Sequence, residues 1–182
     1  MKRFFCLIAL FLLLSLPVAG AAPSAWFDKE FDFSKVKVVY VNDPKIASTL
    51  SYVGEAEGAE IFWKNFQPKT VTLLNVNQVL AAHQKKSGVD LMKLHETNPD
   101  ESYRQFIKAV GEQSELAMYT ELGRDEKGRE TVEFTMNDPQ TGRTVAALVE
   151  SISSKKELTA VIASFAQAFS EKLTGKKRAG QQ

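Results

Sequence analysis

Two histidines, His83 and His95, are the only imidazoles in the chain. With Asp90 between them they are the first residues to weigh as metal ligands or proton carriers. Their spacing matches neither a tight helical clamp nor a hairpin pair, so the sequence assigns no metal ligand. The surrounding pattern puts His83 at the edge of a helix's buried face and His95 in a polar loop. A hydrolase of the nucleophilic kind needs Ser or Cys beside a base. Gly-x-Ser-x-Gly is absent, and Ser153, three residues before Lys156, lacks the context of the penicillin-recognising enzymes. The carboxylate pairs Glu55/Glu57 and Asp125/Glu126 fall in turn-like segments and read as solvated surface. Gly54 and Gly58 bracket a glutamate-rich stretch that would repel a phosphate. No catalytic, cofactor-binding or metal-ligating residue is assigned, and no cofactor is implied. Two acids brought together only in three dimensions would make a small cell-envelope hydrolase, and that remains the alternative.

The N-terminus points to a compartment. Lys2 and Arg3 precede an apolar run from Phe4 to Leu16, Pro17 breaks it, and Ala19-Gly20-Ala21 supplies the small residues a signal peptidase reads. Residues 1–21 are therefore expected to be a signal peptide cut after Ala21. An apolar run of about 13 residues is short against the roughly 20 that span a bilayer. The single cysteine, Cys6, lies inside that run. Its removal leaves a thiol-free body that no disulfide can staple. Removing Lys2 and Arg3 from the 23 basic residues leaves 21 against 22 acidic ones. A near-neutral body carries no footprint for nucleic acid. Residues 176–182, with Lys176-Lys177-Arg178, read as a basic mobile tail.

Residues 22–175 have the length and composition of a single α/β domain. Trp26, Phe27, Phe31 and Phe33 form an aromatic lead-in, expected to tuck onto the core, with an exposed partner-binding arm as the other possibility. Val36 to Val41 reads as a first strand. Asp43-Pro44 then gives an N-cap and Pro at the first helical position, predicting a helix with Ile46, Leu50 and Val53 on one face, breaking near Gly54 to Gly58 and stopping at Pro68. Val71 to Val76 is a second strand, Asn77 caps a short helix, and Gly88 ends it. Val89 to Leu94 is left unassigned. Asn98-Pro99-Asp100-Glu101 opens a helix whose buried stripe is Tyr103, Phe106, Ile107 and Val110. Leu116 to Leu122 is a third strand.

Val132, Phe134 and Met136 alternate with Glu133, Thr135 and Asn137, the period-2 pattern of a strand with one face buried. Asp138-Pro139-Gln140-Thr141-Gly142 turns the chain, and Val145 to Val149 returns apolar on both faces, as inside a covered sheet. Ser154 and Glu157 suit a capping box, followed by Leu158, Val161, Ile162, Phe165, Phe169 and Leu173 at helical spacing. The predicted architecture is a mixed sheet of about five strands with helices packed on it. A C-terminal antiparallel hairpin and a closing helix complete it.

The leader, the segment Phe31-Asp32-Phe33-Ser34 before the first strand, the polar start at Asp43, the Asp138–Gly142 hairpin and the closing helix together resemble bacterial envelope α/β proteins. These are the penicillin-binding-protein activator lipoproteins, the periplasmic domain of the curli-secretion channel family and the N-terminal domain of the Tol-system propeller protein. The resemblance implies an exported, non-catalytic binding or adaptor domain that docks onto another envelope component, periplasmic or secreted. It carries no functional residue over, and the absence of cysteine at the cleavage site departs from the lipoprotein pattern. Expressed with its leader in a bacterial host, the purified protein should begin at Ala22 on N-terminal sequencing. An intact Met1 in the cytoplasm would place the chain elsewhere.

Overall fold

The computed structural model describes residues 25–48 and 50–175. The leader and the basic tail lie outside the described residues. In chain order the elements are β1 (Trp26–Phe27), a 3-10 turn (Phe33–Lys35), β2 (Val38–Val41), β3 (Lys45–Ile46), α1 (Glu55–Asn65), β4 (Thr72–Leu74), α2 (Val76–Ser87) and α3 (Leu91–Thr97). α4 (Pro99–Gln113), β5 (Leu116–Arg124), β6 (Glu130–Asn137), β7 (Thr144–Ser151) and α5 (Lys155–Thr174) follow. The seven strands form one mixed sheet in the order β1-β7-β6-β5-β2-β4, with β3 also paired to β5.

Local chemistry explains most element boundaries. Asn98 caps α4 through the Glu101 N–H, with Pro99 at the first helical position. Gly88 and Gly175 close α2 and α5 in the left-handed region, at φ 76° and 65°. In the β6–β7 turn, Asp138 accepts from the Gln140 N–H and the Thr141 hydroxyl, and Gly142 takes φ 72°. Ser154 accepts from the Glu157 N–H at 3.2 Å. Glu157, however, takes the Ser153 N–H and hydroxyl, one residue before the expected capping-box partner.

Several expectations are overturned. Asp43-Pro44 opens no helix. β2 and β3 lie end to end along one edge of β5, Val41 opposite Met118 and Lys45 opposite Glu121. The Ala47 N–H reaches the Leu122 carbonyl at 2.8 Å. A free strand edge has claimed that backbone, and non-local pairing wins over a local cap. Helix α1 starts only after Gly54, and Asp43 instead accepts from the Trp63 indole at 2.9 Å. Asn75, not Asn77, caps α2, because only Asn75 has Gln78 three residues on to complete the capping box. Asp90 caps α3, so His95 sits on an exposed helix and not in a loop. Tyr103, expected on a buried stripe, is 65% exposed, and Val149 is 61% exposed on a strand read as covered on both sides. The sheet has seven strands where about five were expected, since two-residue β1 and β3 are too short to show a period.

The core lies mainly on one face. Met118, Leu122, Val132, Phe134, Met136, Ala146 and Leu148 meet Phe62 and Phe66 of α1 and Leu158, Ile162, Phe165 and Phe169 of α5. Phe134 and Phe165 stack at 4.8 Å, and Phe62 and Phe66 at 5.4 Å. The lead-in tucks in only in part: Phe27 stacks on Phe165 at 6.0 Å and meets Phe33 edge-on at 5.5 Å, while Trp26 stays 51% exposed. On the other face a smaller cluster of Tyr40, Val79, Ala109, Val110 and Ala117 joins α2 and α4 to β2 and β5. Phe134→Ala should lower unfolding free energy by about 3–5 kcal/mol in urea titration, while exposed Val149→Ala should stay within about 0.5 kcal/mol.

Candidate functional site

Side chains alternate across a strand, so residues opposite the large core share the other face. Register then builds one rung across four strands. Trp26 of β1 pairs with Ala147 of β7, Ala147 with Thr135 of β6, and Thr135 with Tyr119 of β5. The next rung runs Val149, Glu133, Glu121 and Lys45. The small core on this side ends at Ala117. Beyond it Trp26 is 51% and Tyr119 36% exposed, with Thr135 and Ala147 half-buried between them. Two aromatic walls thus flank a floor of small residues, about 14 Å apart at ~4.8 Å per strand.

The wall on the β5 side is anchored. Tyr119 meets Tyr40 at 6.5 Å, Tyr40 meets Phe106 edge-on at 5.8 Å, and the Tyr40 hydroxyl donates to Asn42 Oδ1 at 3.0 Å. Burial pushes the Tyr40 hydroxyl up to about 12, helped by Tyr119 and Asp43. Tyr119 is raised by burial and then by Tyr103. The floor holds one carboxylate to spare. Glu121 is paired with Lys45 at 3.1 Å, while Glu133 meets only the Thr135 hydroxyl at 3.4 Å among the described residues.

A second depression, of about 670 Å³, opens between α2 and α4 and is lined by His83, Lys86, Ser87, Glu101, Arg104, Lys108 and Glu112 among others. It brings a histidine and acids to one depression, and the acids are already paired. Glu112 is held below the usual carboxylate range by Lys86 at 2.8 Å, and Glu101 by Gln105 and then Arg104. A general acid needs the opposite shift. Ser87 donates to its own helix's His83 carbonyl. The His83 Nε2 atom is buried without a hydrogen-bond partner among the described residues.

Other sequence candidates are placed apart. Asp90 caps α3, and His95 points into solvent; among the described residues no three His, Cys, Asp or Glu side chains gather as for a metal. Ser153 Oγ donates to Glu157 and Lys156 is exposed. Glu57 pairs with Lys155 at 2.6 Å and Glu55 is exposed, both in the first turn of α1. Asp125 is a turn clamp, held low by the Arg129 N–H and then the Arg129 side chain. Gly58 turns out to be packing: a Cβ there would lie 2.5 Å from Ile46 Cδ1. The aromatic lead-in divides, Phe27 going inward and Trp26 outward. The open floor itself was missed, although Trp26 and Thr135 are visible in the sequence, because strand order sets which rows align.

No protein-family model matches the chain, and the comparison with curated proteins gives no match. Solved structures similar to it include the LpoB C-terminal domain from Salmonella enterica (TM-score 0.39, 14% identity, 64% of this chain and 82% of that one). They also include the PelC dodecamer from Paraburkholderia phytofirmans (TM-score 0.42, 10% identity, 82% and 95%). A third is a lipoprotein from Neisseria meningitidis (TM-score 0.32, 11% identity, 64% and 79%).

Tyr52, like Tyr40, is pushed up to about 12, by burial and then by Glu130 and Glu157. Unfolded tyrosine ionises near pH ~10, so the stability these two hydroxyls confer is whole below pH 10 and is lost as pH rises toward 12. The urea midpoint should therefore fall steadily above about pH 10. Tyr40→Phe should make that decline shallower.

Proposed function

We propose that the chain is exported through its leader and works in the bacterial cell envelope, periplasmic or secreted, as a non-catalytic binding domain. Its docking surface for another envelope protein is the open sheet face. The observation that carries this is the rung Trp26–Ala147–Thr135–Tyr119, an aromatic-walled apolar strip in front of an uncovered sheet. Exposed Trp and Tyr on rigid strands are the anchors that protein interfaces favour, because they bury a large area with few rotamers to fix. Glu101 and Glu112 of the α2–α4 depression support the same conclusion from the other side, since both are paired and held below the usual carboxylate range, and neither is poised to donate a proton. Among the described residues no helix is long and apolar enough to cross a membrane.

A photoreactive residue at Tyr119 should give a discrete cross-linked adduct in intact cells, and one at exposed Lys85 on α2 should not. Thr135→Arg, which raises a long cation from the floor, should abolish the adduct while changing stability by less than about 1 kcal/mol. Equal adducts from both positions, or turnover of cell-wall substrates by the purified body, would overturn the proposal.

A further inference from the structure

The open floor has a definite width, a definite charge and a place in the layering of the sheet. On the core side, α1 and α5 cover the sheet; on the other, α2 and α4 pack over β2 and β5, and their cluster stops at Ala117. What remains is the width from Tyr119 to Trp26, three strand spacings or about 14 Å. An α-helix with side chains is about 10–12 Å across. One helix laid along β6 and β7 therefore fits between the two aromatic walls, over the small side chains of Ala147 and Thr135.

Charge selects the kind of helix. Glu133 stands beside Val149 and Thr135 on the floor, with no cation in salt-bridge range among the described residues. Lys45 is the neighbouring cation, already engaged by Glu121 at 3.1 Å. A partner that covers Glu133 without bringing a positive charge would bury an ionised carboxylate unpaired, at a cost of several kcal/mol. An acidic partner would meet repulsion as well.

We infer that the open face receives a single amphipathic α-helix of a partner protein, its apolar stripe on Ala147, Thr135 and Val149 between Trp26 and Tyr119, with a Lys or Arg placed against Glu133. This rests on the docking role proposed above and adds to it the form and charge of the partner. Addition of a partner strand would use a sheet edge, at β1 or β4, and leave Tyr119 and Glu133 on the inner strands uninvolved.

The test is selection from a library of random 18-residue peptides displayed on phage, with the folded body as bait and its Thr135→Arg variant as counter-bait. Enriched peptides should carry apolar residues at i, i+3 or i+4 and i+7 with Lys or Arg on a flank. A synthetic representative should shift the emission of Trp26, read in a Trp63→Phe background so that only one of the two tryptophans reports. Glu133→Lys should weaken that peptide about tenfold or more, and Glu133→Gln by less. Enrichment of peptides with no helical period or no basic residue would overturn the inference. So would equal enrichment on both baits, no enrichment at all, or a Trp26 shift produced by soluble cell-wall glycan fragments and not by peptide. Should Tyr119 adducts still form in cells under any of those results, the docking role stands and only the helical, basic partner falls. Should the adducts also be missing, both fall.

Discussion

The edge-sharing of β5 is the constraint on which the rest of the molecule depends. One side of Leu116–Arg124 pairs from Ala117 to Arg124 with β6, antiparallel. The other side is divided between β2 and β3, both parallel, placed one after the other from Val39 to Ile46. The kink at Asn42–Pro44 lets one stretch of chain serve that edge twice without continuing as a regular strand. Because Ile46 is held on β5, it presents its side chain to Gly58, and the missing Cβ there gives the Ile46 Cδ1 methyl its room against α1. Glu115 adds a clamp at the start of the strand, its carboxylate accepting from the Lys37 and Val38 N–H groups. The early parallel part of the sheet and the late antiparallel part are therefore joined through one strand.

The two faces of the sheet are finished unequally. Aromatic stacking of Phe134 on Phe165, with Phe62 and Phe66 beside them, makes the α1–α5 side a closely packed, buried layer. The α2–α4 side is smaller and ends at Ala117. The described residues contain no cysteine, so no disulfide holds them, and the closed layer concentrates the stabilising burial. The open layer is left to other uses. Its aromatic residues keep one edge in solvent and the other against the sheet, the posture in which Trp and Tyr serve as contact residues.

Legibility in the sequence followed the range of the forces involved. The β6–β7 hairpin, the closing helix and the Asn98 helix start could all be read, since alternation, turn chemistry and caps act within a few residues. Asp43-Pro44 misled because its local cap signal lost to an edge formed by residues more than seventy positions away. Asn77 misled by standing two residues from the true cap, where Gln78 was the deciding partner. Tyr103 has the spacing of a buried stripe, yet α4 turns Ser102, Ala109 and Val110 inward and leaves Tyr103 in solvent. The rung of Trp26, Ala147, Thr135 and Tyr119 gathers four segments of the chain. No window of sequence contains it, and only strand order reveals it.

Strand β1 also decides how this body can be held. Trp26 and Phe27 bring the start of the described chain to the outer edge of β7, where Phe27 rests on Phe165 and the Lys172 ammonium lies 5.4 Å above its ring. Anything tethered ahead of Ala25 leaves the body at the rim of the Ala147–Thr135 floor, whereas anything joined after Gly175 leaves from the end of α5, on the opposite layer. At the amino end a single residue, Ala25, separates that exit from Trp26, which forms one wall of the trough. To immobilise or label the protein while keeping the trough unobstructed, the carboxyl end is the handle.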